Sequence, residues 1–196
     1  MSRAKDNITY FFDNHVYFPT RTLYIGSGQY GIDEETGVDG KLAEDIIKAI
    51  HVLDSEKHGD FNIILNCIGG DTSHGFAIID KIKSCKNYVT TTVFGVAHSM
   101  GAAILQAADK RIMAPSSRLM IHHGDLDISG ESSKVYANIQ ENKIYDDLYE
   151  SLLYSKIKEK HPKFAKSKLK EMLKTDTFLS AKQATELGLA DEVMEF

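Results

Sequence analysis

A histidine and a serine stand side by side in the run GVAHSMGAAIL, between Gly95 and Leu105. Ser99 follows a β-branched segment and precedes small residues that predict a helix. A sharp turn from a strand into a helix is the local geometry of a nucleophile elbow, and Ala97-x-Ser99-x-Gly101 is one residue away from the usual GxSxG form. A serine that starts a helix is also a common N-cap, so Ser99 alone leaves packing and catalysis both open.

A nucleophilic serine needs a base that takes its proton. His122 ends the predicted strand SRLMIH, where a side chain can reach the edge of a sheet. A hydrogen-bonded core histidine is the alternative interpretation. His98 and His123 are rivals, but neighbours in a turn normally point apart, and His123 should face the opposite side of the strand from His122.

The base in turn needs an acid that orients it. Asp176 precedes TFLSAKQ, in a loop before a predicted helix, and is the candidate that we favour. It could instead be a surface turn residue, and on chemistry alone Asp109, Asp125, Asp127 and Asp191 remain open.

An oxyanion that develops during such a reaction needs N–H donors. Gly69 and Gly70 follow an apolar strand, and glycine lets the backbone approach a ligand closely. Met100, directly after the serine, offers a further N–H at the start of the helix. The two glycines could instead serve only to form a tight strand-to-helix turn, and this structural role is compatible with a role in binding the oxyanion.

Strands and helices alternate through the first two thirds of the chain, which predicts parallel pairing covered by helices. Residues 1–20 show no clear period and are interpreted as an N-terminal arm, followed by a single domain over 21–196. Asp71 to Ser73 are N-cap candidates, and Ser180 with Gln183 forms a capping box before the stop at Gly188. The predicted strands are 20–28, 61–67 (buried on both faces), 88–96, 111–114 and 117–122. The predicted helices are 39–53, 99–109 and a long one over about 132–160. Two further helices are predicted, one after the N-cap candidates at 71–73 and one after the capping box at Ser180.

The bulk composition excludes several classes of protein. The 196 residues are 42% hydrophobic and 26% charged, with a net charge of −5, and they contain no basic block that would suggest a nucleic-acid partner. No apolar run is long enough to span a membrane, and the N-terminus lacks the pattern of a secretory signal, so we expect a cytoplasmic protein. Cys67 and Cys85 have no metal-ligand spacing and are expected to be reduced.

The segments NCIGGD, GVAHSMGAAIL, SRLMIHH and DTFLSAKQATELGLADEV, in this order, resemble the ClpP family of serine peptidases over about residues 20–194. The resemblance implies that Ser99 is the nucleophile, His122 the general base and Asp176 its orienting acid. It also implies that Gly69 and Met100, with Gly70 beside them, supply the oxyanion donors, and that no cofactor or metal takes part.

The same resemblance implies an α/β fold of repeated ββα units, in the ClpP/crotonase class, with a protruding helical handle over about 123–160. It implies peptide or unfolded-protein substrates, a homo-oligomer of one or two heptameric rings around a chamber, and an ATP-driven unfoldase as a partner. The chain departs from the family pattern at Cys67-Ile68, at His98 and at His123-Gly124. We expect an apolar residue before the cut, because Ile68, Met100 and Ile121 are the predicted neighbours of the site, and no charged residue is predicted there.

Two alternatives remain open at this stage. A crotonase-type acyl-CoA enzyme shares the framework and the backbone donors but needs no serine triad. A ring subunit that has lost activity would serve as a scaffold.

Overall fold

Alternating β-branched and amphipathic segments form the strands and helices of the computed structural model, which describes residues 2–27, 36–55, 59–126 and 128–196. The strands are β1 (Val16–Tyr17), β2 (Thr22–Gly26), β3 (Phe61–Cys67), β4 (Val89–His98), β5 (Lys110–Met113), β6 (Arg118–Ile121), β7 (Thr177–Ser180) and β8 (Glu192–Val193). The helices are α1 (Ser2–Asn14), α2 (Gly40–Ser55), α3 (Thr72–Lys83), α4 (Met100–Leu105), α5 (Ser132–Lys160), α6 (Lys166–Leu173) and α7 (Ala181–Leu187).

Strand β4 forks the sheet. Strands β2, β3, β4 and β5 pair in parallel in that order, and the first half of β4 (90–93) pairs with β5. The second half (96–98) pairs in parallel with β6, which pairs antiparallel with β7. A register shift in β4 near Gly95, which has a φ of 85°, separates the two halves. The fork brings the ends of β4 and β6 and the start of β7 together.

One face of β3 is buried and the other is not. Phe61, Ile63, Leu65 and Cys67 are fully buried, whereas Asn62 and Asn66 on the other face are exposed. The prediction that this strand is buried on both faces is therefore wrong for the chain by itself. The alternation of buried and exposed residues is not evident from the sequence, because Ile64, an apolar and half-buried residue, lies on the more polar face.

The long helix α5 begins and ends at the predicted residues. Its buried residues all come from Tyr149 onward, and the part of the helix before Tyr149, including the predicted stripe residue Leu148, is largely exposed. The helix therefore projects from the domain for about half its length. None of the helices in the described parts of the chain combines the length and apolar character needed to cross a bilayer.

The two ends of the chain contain elements that the sequence did not predict. The proposed arm holds helix α1, a 3-10 turn over 18–20 and strand β1, which is antiparallel to β2 and buries Val16. Helix α6 and the strands β7 and β8 were also missed. These strands have four and two residues, too few for a period to show. The predicted caps are present: Asp71 accepts from the N–H of His74, and the Ser180–Gln183 capping box is complete.

A buried ion pair ties the C-terminal segment to β5. The Arg111 guanidinium is buried, its Nε donates to Asp191 Oδ2 at 3.1 Å, and its Nη1 donates to Gln106 Oε1 at 2.6 Å. Burial by itself would raise the pKa of Asp191, but the hydrogen bonds from the side chain and backbone of Arg111 outweigh it, so the pKa is lowered. A lowered carboxyl pKa stabilises the fold above the unfolded-state value, and this stabilisation is lost as the pH falls through the folded-state value.

We therefore expect Asp191→Asn to lower the free energy of unfolding at pH 7 by about 2–4 kcal/mol, because it leaves a buried guanidinium without its counter-charge. The loss should shrink as the pH falls from about 4, the unfolded-state pKa of an aspartate, through the lower folded-state pKa, because the wild-type carboxyl then becomes protonated as well. Urea titrations at several pH values measure both effects. Glu192→Gln is the control, since its ion pair with Lys110 is exposed and worth at most about 1 kcal/mol. Equal effects of the two changes would contradict the prediction.

Candidate active site

Ser99 lies in a strained turn between β4 and α4. Its φ of 51° and ψ of −120° are rare for a residue with a side chain. Small neighbours permit the turn: a Cβ on Gly69 would lie 2.6 Å from the Cβ of Ser99, and a Cβ on Gly101 would lie 2.6 Å from the carbonyl oxygen of Cys67. The Ser99 side chain makes no cap hydrogen bond, although the residue occupies the N-cap of α4. The turn thus directs the hydroxyl away from the helix.

His122 and Asp176 complete a hydrogen-bonded chain with this serine. The distance from His122 Nε2 to Ser99 Oγ is 3.0 Å, and that from His122 Nδ1 to Asp176 Oδ1 is also 3.0 Å. The register explains the approach: His98 lies beside Met120, which places Ser99 near the end of β6, and Ile121 lies opposite Thr177. His122 and Asp176 therefore flank the same end of the β6–β7 pair. An imidazole held between a hydroxyl and a carboxylate can take the hydroxyl proton.

The rival histidines lie elsewhere. The ring of His98 packs edge-on against Phe178 at 5.5 Å, and burial together with the nearby Arg118 lowers the pKa of His98. The ring of His123 points toward Glu150, with 4.0 Å between His123 Nε2 and Glu150 Oε2. Neither contact involves Ser99.

The rival acids have other partners or positions. Asp109 accepts the N–H of Val89 at 2.8 Å, and Asp191 binds Arg111. Asp125 lines the cleft beside Ser99, and Asp127 lies outside the described residues.

Two contacts that the sequence did not indicate support the turn at Ser99. The backbone N–H of Ser99 donates to the carbonyl of Met120 at 2.9 Å, and the hydroxyl of Tyr149 donates to the carbonyl of Ser99 at 3.3 Å. Tyr149 was predicted only as part of the apolar stripe of α5. Burial raises the pKa of its phenol, which keeps the hydroxyl protonated as a donor. The handle helix thus contacts the serine backbone.

The two glycines before α3 differ in orientation. The N–H of Gly69 points at Cys67 Sγ, 3.4 Å away. Gly70 forms an isolated β-bridge with Val38, but the two hydrogen bonds of the bridge are made by the neighbours of Gly70. The carbonyl of Gly69 accepts from the N–H of Val38, and the N–H of Asp71 donates to the carbonyl of Val38. Gly70 and Met100 line the cleft above Ser99. The structure therefore favours Gly70 over Gly69 as the glycine whose backbone faces a ligand.

The cleft that contains Ser99 and His122 has a volume of about 420 Å³. Ile68 and Met100 line it as predicted, but Met120 takes the place of Ile121, which is fully buried. The expectation that no charged residue lies near the site is wrong. Three carboxylates line the cleft, those of Asp71, Asp125 and Asp146, and the other lining residues are Thr72, Gly124, Asn142, Tyr145 and Tyr149. Asp146 comes from the handle helix, whose contribution to the cleft only the tertiary structure decides.

A buried carboxylate follows the cleft residue Tyr149 on α5. Glu150 is buried, with Lys166 Nζ at 2.9 Å and Lys170 Nζ at 3.7 Å from its Oε1. His123, the residue after His122, also faces Glu150. The two lysines link α6 to α5 through Glu150, and His123 lies at the edge of this cluster.

Comparison with known proteins identifies the family. The model of the Clp protease family matches residues 29–196. The chain belongs to the Clp protease family. The resemblance inferred from its four segments is thereby confirmed, as is the α/β fold class, whereas the match gives no support to the crotonase-type alternative.

Two curated relatives from this family are proteolytic subunits. The chain is 32% identical to the ATP-dependent Clp protease proteolytic subunit of Deinococcus radiodurans, over 82% of the chain and 78% of that protein. It is 31% identical to the chloroplastic ATP-dependent Clp protease proteolytic subunit 3 of Arabidopsis thaliana, over 81% of the chain. The aligned part spans 50% of the Arabidopsis protein.

Proposed function

We propose that the protein is a serine endopeptidase in which Ser99 is the nucleophile, His122 the general base and Asp176 the acid that orients it. The observation that carries this proposal is the continuous chain of two 3.0 Å contacts through the His122 ring, next to a serine in a strained turn. Membership of the Clp protease family supports the same chemistry.

The reaction follows from the positions of these groups. Ser99 Oγ attacks the peptide carbonyl carbon while His122 Nε2 takes its proton, and Asp176 stabilises the resulting imidazolium through Nδ1. The tetrahedral intermediate collapses when His122 returns the proton to the leaving amine, which breaks the C–N bond and leaves an acyl-enzyme. Water then attacks the ester with the same base, which releases the new carboxyl end and restores Ser99.

The backbone of Gly70 and Met100 supplies the N–H donors for the oxyanion in this proposal. The N–H of Gly70 takes no part in the bridge to Val38, and Met100 is the first residue of α4, whose N–H has no partner within the helix. Gly69 acts differently: its missing side chain makes room for Ser99. Such donors typically contribute two to three orders of magnitude in rate.

The subunit works as a ring or double ring around a chamber, fed by an ATP-driven unfoldase. The names of the relatives support this assembly, since both are subunits of ATP-dependent proteases. The exposed part of the handle supports it too, because it carries uncovered apolar side chains, namely Tyr136, Ile139, Ile144 and Leu148. Peptides and unfolded chains are the substrates, since a closed chamber excludes folded proteins by size.

A fluorophosphonate probe tests the proposed nucleophile directly. The wild-type protein should gain one adduct per subunit, located by mass spectrometry on the peptide that contains Ser99. Ser99→Ala should remain unlabelled, and Ser73→Ala, which changes an exposed hydroxyl bonded to Asp71, should label like the wild type. An unlabelled wild-type protein would favour the catalytically silent subunit instead.

A further inference from the structure

The cleft beside Ser99 is lined by both carboxylates and apolar side chains. Asp125 and Asp146 are among the carboxylates, and no Lys or Arg is among the described residues that line the cleft. Asp71 also faces it, but this carboxylate already caps α3 and accepts from Ser73 Oγ and the N–H of His74. Asp125 and Asp146 are therefore the carboxylates with capacity for a ligand.

Asp146 is the better placed of the two. It lies on α5 one turn before Tyr149, the residue that contacts the Ser99 backbone. The side-chain amide of Asn142 donates to its Oδ2 at 3.2 Å, which orients the carboxylate. Among the described residues, no Lys or Arg forms an ion pair with Asp146.

The surroundings make this carboxylate ready for a cation. Burial raises the pKa of Asp146, His123 opposes the rise, and the neighbouring Asp147 adds to it. The carboxylate has thus lost part of its hydration and has one neutral hydrogen-bond donor in return. A cationic ligand would restore the lost stabilisation.

The apolar residues of the cleft suit the stem of a long basic side chain. Ile68, Met100 and Met120 lie on the same cleft as the two carboxylates. Lys and Arg side chains lay their methylene groups along apolar surface and keep the charged end near polar groups. A volume of about 420 Å³ accommodates such a side chain together with part of the peptide backbone.

We propose that Asp146, assisted by Asp125, selects substrates with Lys or Arg at the residue that enters this cleft beside the cut bond. This inference rests on the proposed function, and it replaces the apolar preference expected from the sequence. Asp146 acts as a specificity residue: it contacts the substrate side chain and has no part in the proton transfer.

The test uses peptides of one sequence that carry lysine, arginine, norleucine or glutamate before a fluorogenic leaving group. The wild-type enzyme should cleave the lysine peptide at least tenfold faster than the norleucine peptide in kcat/KM. Asp146→Asn should reduce this ratio about tenfold to hundredfold, the range expected for one charge-assisted hydrogen bond. Asp147→Asn removes the same charge from the exposed side of the same helix, away from the cleft lining, and should change the ratio much less than Asp146→Asn does.

A binding measurement separates this inference from the proposed function. Fluorescence anisotropy with labelled peptides should show that the Ser99→Ala variant binds the lysine peptide more tightly than the norleucine peptide. Adding Asp146→Asn to this variant should abolish the difference in affinity. If turnover occurs with a norleucine preference, or if Asp146→Asn leaves the ratio unchanged, the specificity proposal is overturned and the peptidase stands. If no peptide is cleaved, equal binding of the two peptides overturns the specificity proposal. A preference for the lysine peptide that depends on Asp146 supports the specificity proposal even then.

Discussion

Ser99→Ala and His122→Ala are each expected to lower the turnover of a short peptide by about three to six orders of magnitude. Without the hydroxyl no acyl-enzyme forms, and without the imidazole the serine keeps its proton. Because the two groups act as one unit, the double variant should lose little more than either single variant. The residual rate would come from the backbone donors and from substrate binding.

Steady-state kinetics on one fluorogenic peptide measures these losses, with circular dichroism as the check on folding. His98→Ala and His123→Ala are the matched controls, since these rings contact Phe178 and Glu150 and not the serine. Both should keep appreciable turnover. An inactive His98→Ala beside an active His122→Ala would show that the base has been misassigned, and multiplicative losses in the double variant would argue against a shared mechanism.

Gly69→Ala is expected to lower activity by at least a hundredfold and the free energy of unfolding by about 2 kcal/mol or more. Gly69 has a φ of 106°, and the added Cβ would meet the Cβ of Ser99 at 2.6 Å and the carbonyl oxygen of His98 at 3.0 Å. The turn at Ser99 would have to shift, which moves the nucleophile away from His122. A misplacement of about 1 Å costs about a hundredfold in rate.

Gly130→Ala is the control for backbone strain alone. Gly130 has a φ of 132°, but a Cβ there would meet nothing within 4 Å. Urea unfolding should show that the free energy of unfolding falls by at most about 3 kcal/mol in this variant, and peptide hydrolysis should be unchanged. If Gly69→Ala kept full activity, the close packing of this glycine against the serine would have no catalytic consequence.

The sequence by itself determined the elements that local patterns encode. The apolar run 61–67 is β3, the long helix begins at Ser132 and ends at Lys160, and the capping box at Ser180 starts α7. Hydrophobic period, helix propensity and capping depend on residues within a few positions of one another, so these features can be found without a structure. Ser99 and His122 were candidates for the same reason, since each follows a strand.

Only the tertiary structure decided which side chains meet. The fork of β4 near Gly95, the short strand β7 and the bond from Tyr149 to the Ser99 backbone all depend on contacts between residues far apart in the chain. The same holds for the cleft, because the handle helix brings Asp146 within reach of a strand end more than twenty positions away. A residue pattern records what a segment prefers locally, whereas the charge of a cleft depends on which segments fold against one another.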